Sequence, residues 1–171
     1  MAGNFLHTAG TDGFVSTKRV VTWTTSLNGL ASGSRAISDT TADTGKFTQS
    51  SFSNCRLGMA YFTTVTTGWT ATAGGCFACW WNYSYDGGTT FEVESRTTPS
   101  TTVMAVARPP DFIIPVYMGA TAIAAGDVFF SNGPFLLPHH TAKVIVQNLT
   151  GNALAAQAHT LTIGGVADGY T

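Results

Sequence analysis

CFACWWNYSYDGGTTFEVESR, residues Cys76 to Arg96, repeats with a period of two. Phe77, Cys79, Trp81, Tyr83 and Tyr85 fall on one side, and Ala78, Trp80, Asn82 and Ser84 on the other. This is the alternation of a strand rich in aromatic residues. Asp86-Gly87-Gly88 follows, and glycine reaches the positive φ angles that a tight reversal needs. Phe91, Val93 and Ser95 then alternate with Thr90, Glu92, Glu94 and Arg96. The whole stretch predicts a central β-hairpin with one face in a core, where each buried ring contributes about 25 cal/mol per Å² removed from water.

Composition supports the same class. Of 171 residues, 10% are charged, 28 are threonine and 19 are glycine. Amphipathic surface helices need more Lys, Glu and Arg than this, whereas threonine-rich strands joined by glycine turns do not. A chain of this length fits one domain. A formal net charge of −1, with no basic cluster beyond Lys18-Arg19, supplies no footprint for nucleic acid or an anionic membrane. The start, MAGNFLHTAGTDGF, lacks a basic region followed by an apolar run, and no stretch reaches 18 apolar residues. These features predict a soluble protein made in a reducing cytosol, with three cysteines that form no disulfide framework. So little surface charge also suits a protein packed against other polypeptides.

Outward from the central stretch, residues 1–17 read as an extended N-terminal arm, with Phe5, Leu6 and Phe14 as candidate anchors on a partner. Residues 18–171 read as one sandwich domain. Arg19 to Thr25 is a short strand, Ser26 to Phe47 a loop with at most one helical turn, and Ser51 to Thr67 a long strand. Thr102 to Arg108 alternates again. Phe112 to Met118 carries Pro115, which cannot donate to a ladder, and so predicts an edge strand or a bulge. Val128 to Phe130 is a short strand that turns at Gly133-Pro134. AKVIVQN, LTGN and ALAAQAHTLTI predict a final hairpin. Turn signals every 8 to 15 residues predict a two-sheet antiparallel β-sandwich or jelly roll, an all-β fold without βαβ crossovers.

Several residues invite a chemical reading. Cys76 and Cys79 have the spacing of a redox or zinc pair, but residues three apart on a strand point to opposite faces. Neither Cys55 nor His7, His139, His140 and His159 adds paired ligand spacing. His139-His140 follows Pro138 without a nucleophile-elbow serine or an acidic partner motif. Asp39 and Asp43 lack the rest of a calcium loop. Glu92 and Glu94 share a strand face about 7 Å apart, with Arg96 continuing an ionic row. Trp69, Trp80, Trp81, Tyr83 and Tyr85 are candidates either for packing or for a sugar-stacking platform. Of these, Trp69 and Trp80 join the arm residues as candidate interface positions. No catalytic, metal or cofactor residues are expected. Asn82-Tyr-Ser and Asn148-Leu-Thr match the glycosylation pattern, and without a secretory signal both read as accidental.

Three stretches, in order, resemble a family of small tailed-bacteriophage virion proteins. SLNGLASGSRAISDT (Ser26 to Thr40) is similar to a Leu-Ala-Ser-rich loop near their start. WWNYSYDGGTTFE (Trp80 to Glu92) is like their aromatic strand ending in a Ser-x-Asp-Gly turn. FFSNGPFLLP with VIVQNLTGNALAAQAHTLTI resembles their Gly-Pro-Phe turn and Asn-x-Thr-Gly segment before a final strand. The resemblance covers about half the chain, and the arm departs from it. It implies a β-sandwich or jelly-roll structural protein without catalytic residues that decorates or cements the capsid. With the charge and composition above, the chain is expected to be a homo-trimer on the major capsid protein at the virion surface, without nucleic acid, membrane or cofactor. A tail or collar carbohydrate-binding module is the alternative.

Overall fold

The computed structural model describes residues 19–21, 27–38, 47–52, 55–64, 69–92, 108–116, 122–156 and 159–166. Among them run β1 (Arg19–Val21), β2 (Arg35–Ile37), a 3-10 turn (Gln49–Phe52), β3 (Leu57–Thr63), β4 (Trp69–Thr70) and β5 (Cys76–Ser84). Then come β6 (Phe112–Pro115), β7 (Ala122–Ile123), β8 (Val128–Phe130), β9 (Phe135–Leu136), β10 (Thr141–Leu149) and β11 (Thr160–Val166). They build two antiparallel sheets, β1-β11-β3-β8 with β9 also on β3, and β2-β10-β5-β6, beside a small β4-β7 ladder. The chain is an all-β two-sheet sandwich.

The pairings nest. β1 pairs β11, β2 pairs β10, β3 pairs β8, and β5 pairs β6, so the outermost strands in sequence meet and the innermost meet. The chain behaves as one long antiparallel ribbon that crosses repeatedly from one sheet to the other, closed sideways by β11 on β3 and β10 on β5. The β5·β10 ladder is the longest, with registers from Thr141↔Ser84 to Leu149↔Cys76.

The alternation read in β5 sets the core. Phe77, Cys79 and Trp81 face the opposite sheet and are buried. Phe77 stacks on Phe62 of β3 at 4.3 Å, and Phe112 of β6 stacks on Phe135 of β9 at 4.0 Å, so each stack joins one sheet to the other. Trp81 packs on Phe47, Phe112 and Phe135, and its indole N–H donates to the Leu136 carbonyl at 3.0 Å. One polar handle thus fixes the largest buried ring.

Four expectations are corrected. The return strand of the central hairpin is β6, not Phe91 to Arg96: residues 85–92 form bends, held to β5 by the Glu92 N–H on the Tyr83 carbonyl, and 93–96 lie outside the described residues. Asp86 explains the change, because its carboxylate accepts the Ser84 hydroxyl and the N–H groups of Thr89 and Thr90, winding the chain into a closed loop. Those donors, Thr90 N–H first, hold the Asp86 carboxyl well below its ordinary range. The final hairpin is instead a crossover, since β10 and β11 belong to different sheets. Within the predicted loop Ser26 to Phe47, Arg35–Ile37 is a strand on β10. Pro115 does end an edge strand, as expected. The strand expected at Ser51 to Thr67 is shorter, Leu57–Thr63, after the 3-10 turn, and the expected strand at Thr102 to Arg108 lies almost wholly outside the described residues.

Two side-chain devices complete the second sheet. Where β6 begins, Asp111 accepts the Trp81 N–H at 2.7 Å and bonds Arg108 at 2.6 Å, while Arg108 donates to the Trp81 carbonyl. This ion pair thus takes up both backbone groups of Trp81 on β5, just before β6 begins at Phe112. At the crossover, the fully buried Asn148 spends its whole amide: Nδ2 donates to the carbonyls of Leu30 (2.7 Å) and Asn152 (2.8 Å), and Oδ1 accepts the Thr150 N–H and hydroxyl. Asn148→Ala would leave these groups unpaired in the interior. We expect it to destabilise the fold by about 3 kcal/mol, read as a melting temperature lower by roughly 6 to 12 °C.

Candidate functional site

The two sheets present opposite kinds of outer surface. On β2-β10-β5-β6 the outward side chains Ile37, Ala78, Trp80 and Ile145 form a second buried cluster. The Arg35 guanidinium lies 5.1 Å from the Trp80 ring centre, and the Trp80 indole donates to the Arg108 carbonyl at 3.0 Å. Lys143, also buried, places its ammonium 4.1 Å from the Phe91 ring centre. Most of this face is closed by the chain itself.

The outer face of β1-β11-β3-β8 is different. One row, set by register, runs Val20, Thr162, Tyr61, Phe130 across all four strands. Neighbouring rows add Thr63 opposite Val128, and Leu57 opposite Leu136. The strict alternation of burial along β3 puts Leu57, Met59, Tyr61 and Thr63 outward and Gly58, Ala60 and Phe62 inward. Val20 is 53% exposed, Phe130 47% and Leu136 63%, and Tyr61 and Phe130 lie 5.8 Å apart. No Asp, Glu, Lys or Arg occupies these rows. Strand spacing and rise give a footprint of roughly 400 Å². Thr162, in the middle of the row, is buried, and the exposed apolar side chains are Val20, Val128, Phe130 and Leu136 around it, a distribution that suits a contact surface.

The predicted site residues land elsewhere. Trp69 (3% exposed) packs on Phe77 and His159, and Trp80 (5%) lies in the cluster above. Both move from the expected surface to the interior, so neither presents a ring to a partner or a sugar. With Trp81 in the core, the proposed aromatic platform is reduced to Tyr85, 71% exposed, and the half-buried Tyr83. Phe5, Leu6 and Phe14, with His7, Asp39, Asp43 and Glu94, lie outside the described residues. The row missed in the sequence, Val20, Tyr61 and Phe130, comes from three strands far apart in the chain.

Cys55, Cys76 and Cys79 are free thiols. Burial pushes Cys79 well up and Cys76 up, which favours the protonated thiol over the nucleophilic thiolate in both. Among the described residues, no three His, Cys, Asp or Glu side chains gather as a metal site. His139 and His140 are exposed, and His140 lies 5.3 Å from the Tyr85 ring. His159 is buried against Phe62, and its Nε2 meets the Ala155 carbonyl at 3.1 Å, so Nε2 carries the proton. No protein family, curated protein or solved structure matches the chain.

Two outcomes follow from these placements. Trp80→Ala should lower stability by about 3 kcal/mol in a denaturant melt, the behaviour of a packed ring. Burial lowers the pKa of His159. Its neutral form therefore contributes stability that is complete above the unfolded value of about 6.5 and lost as pH falls toward the lowered folded value. The wild-type melting temperature should fall over this range more steeply than that of His159→Phe.

Proposed function

We propose that the chain is a non-enzymatic structural protein of a tailed-phage virion, a capsid decoration or cement protein that works through contacts between polypeptides. The observation that carries this reading is the uncharged outer face of β1-β11-β3-β8. A second copy of the chain is its occupant. Two copies can bring this face together without burying an unpaired charge, which would otherwise weaken the contact. Its footprint of roughly 400 Å² is about half of what each partner in a stable pair removes from water. Such a contact is weak alone and gains strength when it is repeated: around a three-fold axis each copy would offer one half of the face to one neighbour and the other half to the next, a head-to-tail contact that closes as a trimer.

The nested ribbon supports the same reading. Nested antiparallel pairs split over two sheets are compatible with a jelly roll, an architecture used in viral capsid domains and lectins alike. Since fold alone does not choose between them, the bare face and the three resembling stretches favour the virion. Residues 1–17 precede β1, the edge strand of that face, and are assigned the contact with the major capsid protein through Phe5, Leu6 and Phe14.

Sedimentation velocity of the full chain tests the self-contact. The wild type should sediment at three times its 17.9 kDa mass, and a Phe130→Asp, Leu136→Asp double variant should be a monomer with an unchanged melt. A monomeric wild type at tens of micromolar, or a double variant that still assembles, would overturn the proposal. A chain lacking Met1 to Thr17 should remain folded yet fail to join particles, and normal incorporation would remove the role given to the arm.

A further inference from the structure

At the end of β5, the bends that follow Ser84 frame a cleft of about 310 Å³ lined by Tyr83, Tyr85, Asp86, Thr90, Phe91 and Glu92. The volume is at the lower end of small-molecule sites, and loops on a rigid sheet are where such sites lie. Three of its walls are aromatic. The Tyr85 hydroxyl donates to Glu92 Oε1 at 3.0 Å, which steadies an exposed ring beside an exposed carboxylate.

The charges around the cleft narrow the ligand class. Both Asp86 oxygens are taken by Thr90, and one also by Ser84 and Thr89, so Asp86 shapes the wall and Glu92 is left to receive a donor. Among the described residues no Lys, Arg or His lines the cleft, and two carboxylates repel an anion. The Lys143 ammonium and the Arg108 guanidinium, on the Phe91 and Tyr83 rings at 4.1 and 5.6 Å, offset those two negative charges and leave the cleft without a net charge to attract a cation. A neutral, polyhydroxylated ligand fits both constraints. Its hydroxyls donate to Glu92 and its C–H face lies on the Tyr85 ring.

We propose that this cleft binds a neutral saccharide unit through Tyr85 and Glu92. The site stands apart from the sheet face assigned to assembly and does not depend on the virion reading. Full-length protein would be screened by isothermal titration and an array holding neutral oligosaccharides of glucose, galactose and N-acetylglucosamine, with sialyllactose and choline alongside.

A neutral sugar should bind, and Tyr85→Ala and Glu92→Gln should each weaken it on the order of tenfold without shifting the melting temperature. Phe130→Asp should leave sugar binding unchanged. The proposal fails if no neutral sugar binds, if only sialyllactose or choline binds, or if both cleft variants bind as the wild type does.

Discussion

The ladder between β5 and β10 is the constraint from which the other contacts follow. It is flanked on both sides, by β6 and β2, and both of its faces are packed: Phe77, Cys79 and Trp81 on one, Ala78, Trp80 and Ile145 on the other. A slip of one residue would exchange these two sets, putting Trp80 where the Phe112–Phe135 stack leaves no room. Register is therefore specified twice. The first sheet then docks through Phe62 and Phe135 onto rings whose positions the ladder has already set.

The sandwich is lopsided as a result. Its second sheet is wrapped by Phe91, Arg108 and Arg35, so aromatic residues that would suit a surface are internal. On the first sheet, Val20, Phe130 and Leu136 keep about half or more of their surface exposed. With so few charged residues in the chain, the usual means of keeping a sheet face solvated are absent here. Assembly through one broad side and recognition in a loop at the other's end is a division of labour that this asymmetry permits.

Much of the architecture was legible in the residues. Period-two alternation located β5, β3 and β10, and Pro115 marked an edge. What alternation does not carry is the identity of the partner. β5 pairs with a strand about sixty residues later in the chain, and no local signal marks that contact. Asp86-Gly87-Gly88 has the residues of a hairpin turn, yet the Asp86 carboxylate captures the N–H groups of Thr89 and Thr90 and diverts the chain. β2 is three residues within a Gly- and Ser-rich run, too short for any period to register. Trp69 and Trp80 were misplaced for a related reason: alternation separates two faces, but a loop elsewhere in sequence decides whether the outer one meets water.

Asn148 carries an implication for how the chain can be made. Its amide and that of Asn82 both sit in acceptor tripeptides and are both buried in the finished fold. In a eukaryotic secretory pathway, oligosaccharyltransferase acts on the nascent chain before any sheet closes. A glycan fixed to Asn148 would bar the side chain from Leu30 and Thr150, and the crossover could not form. Secreted production would therefore yield trapped, unfolded material, whereas bacterial cytoplasm imposes no such barrier.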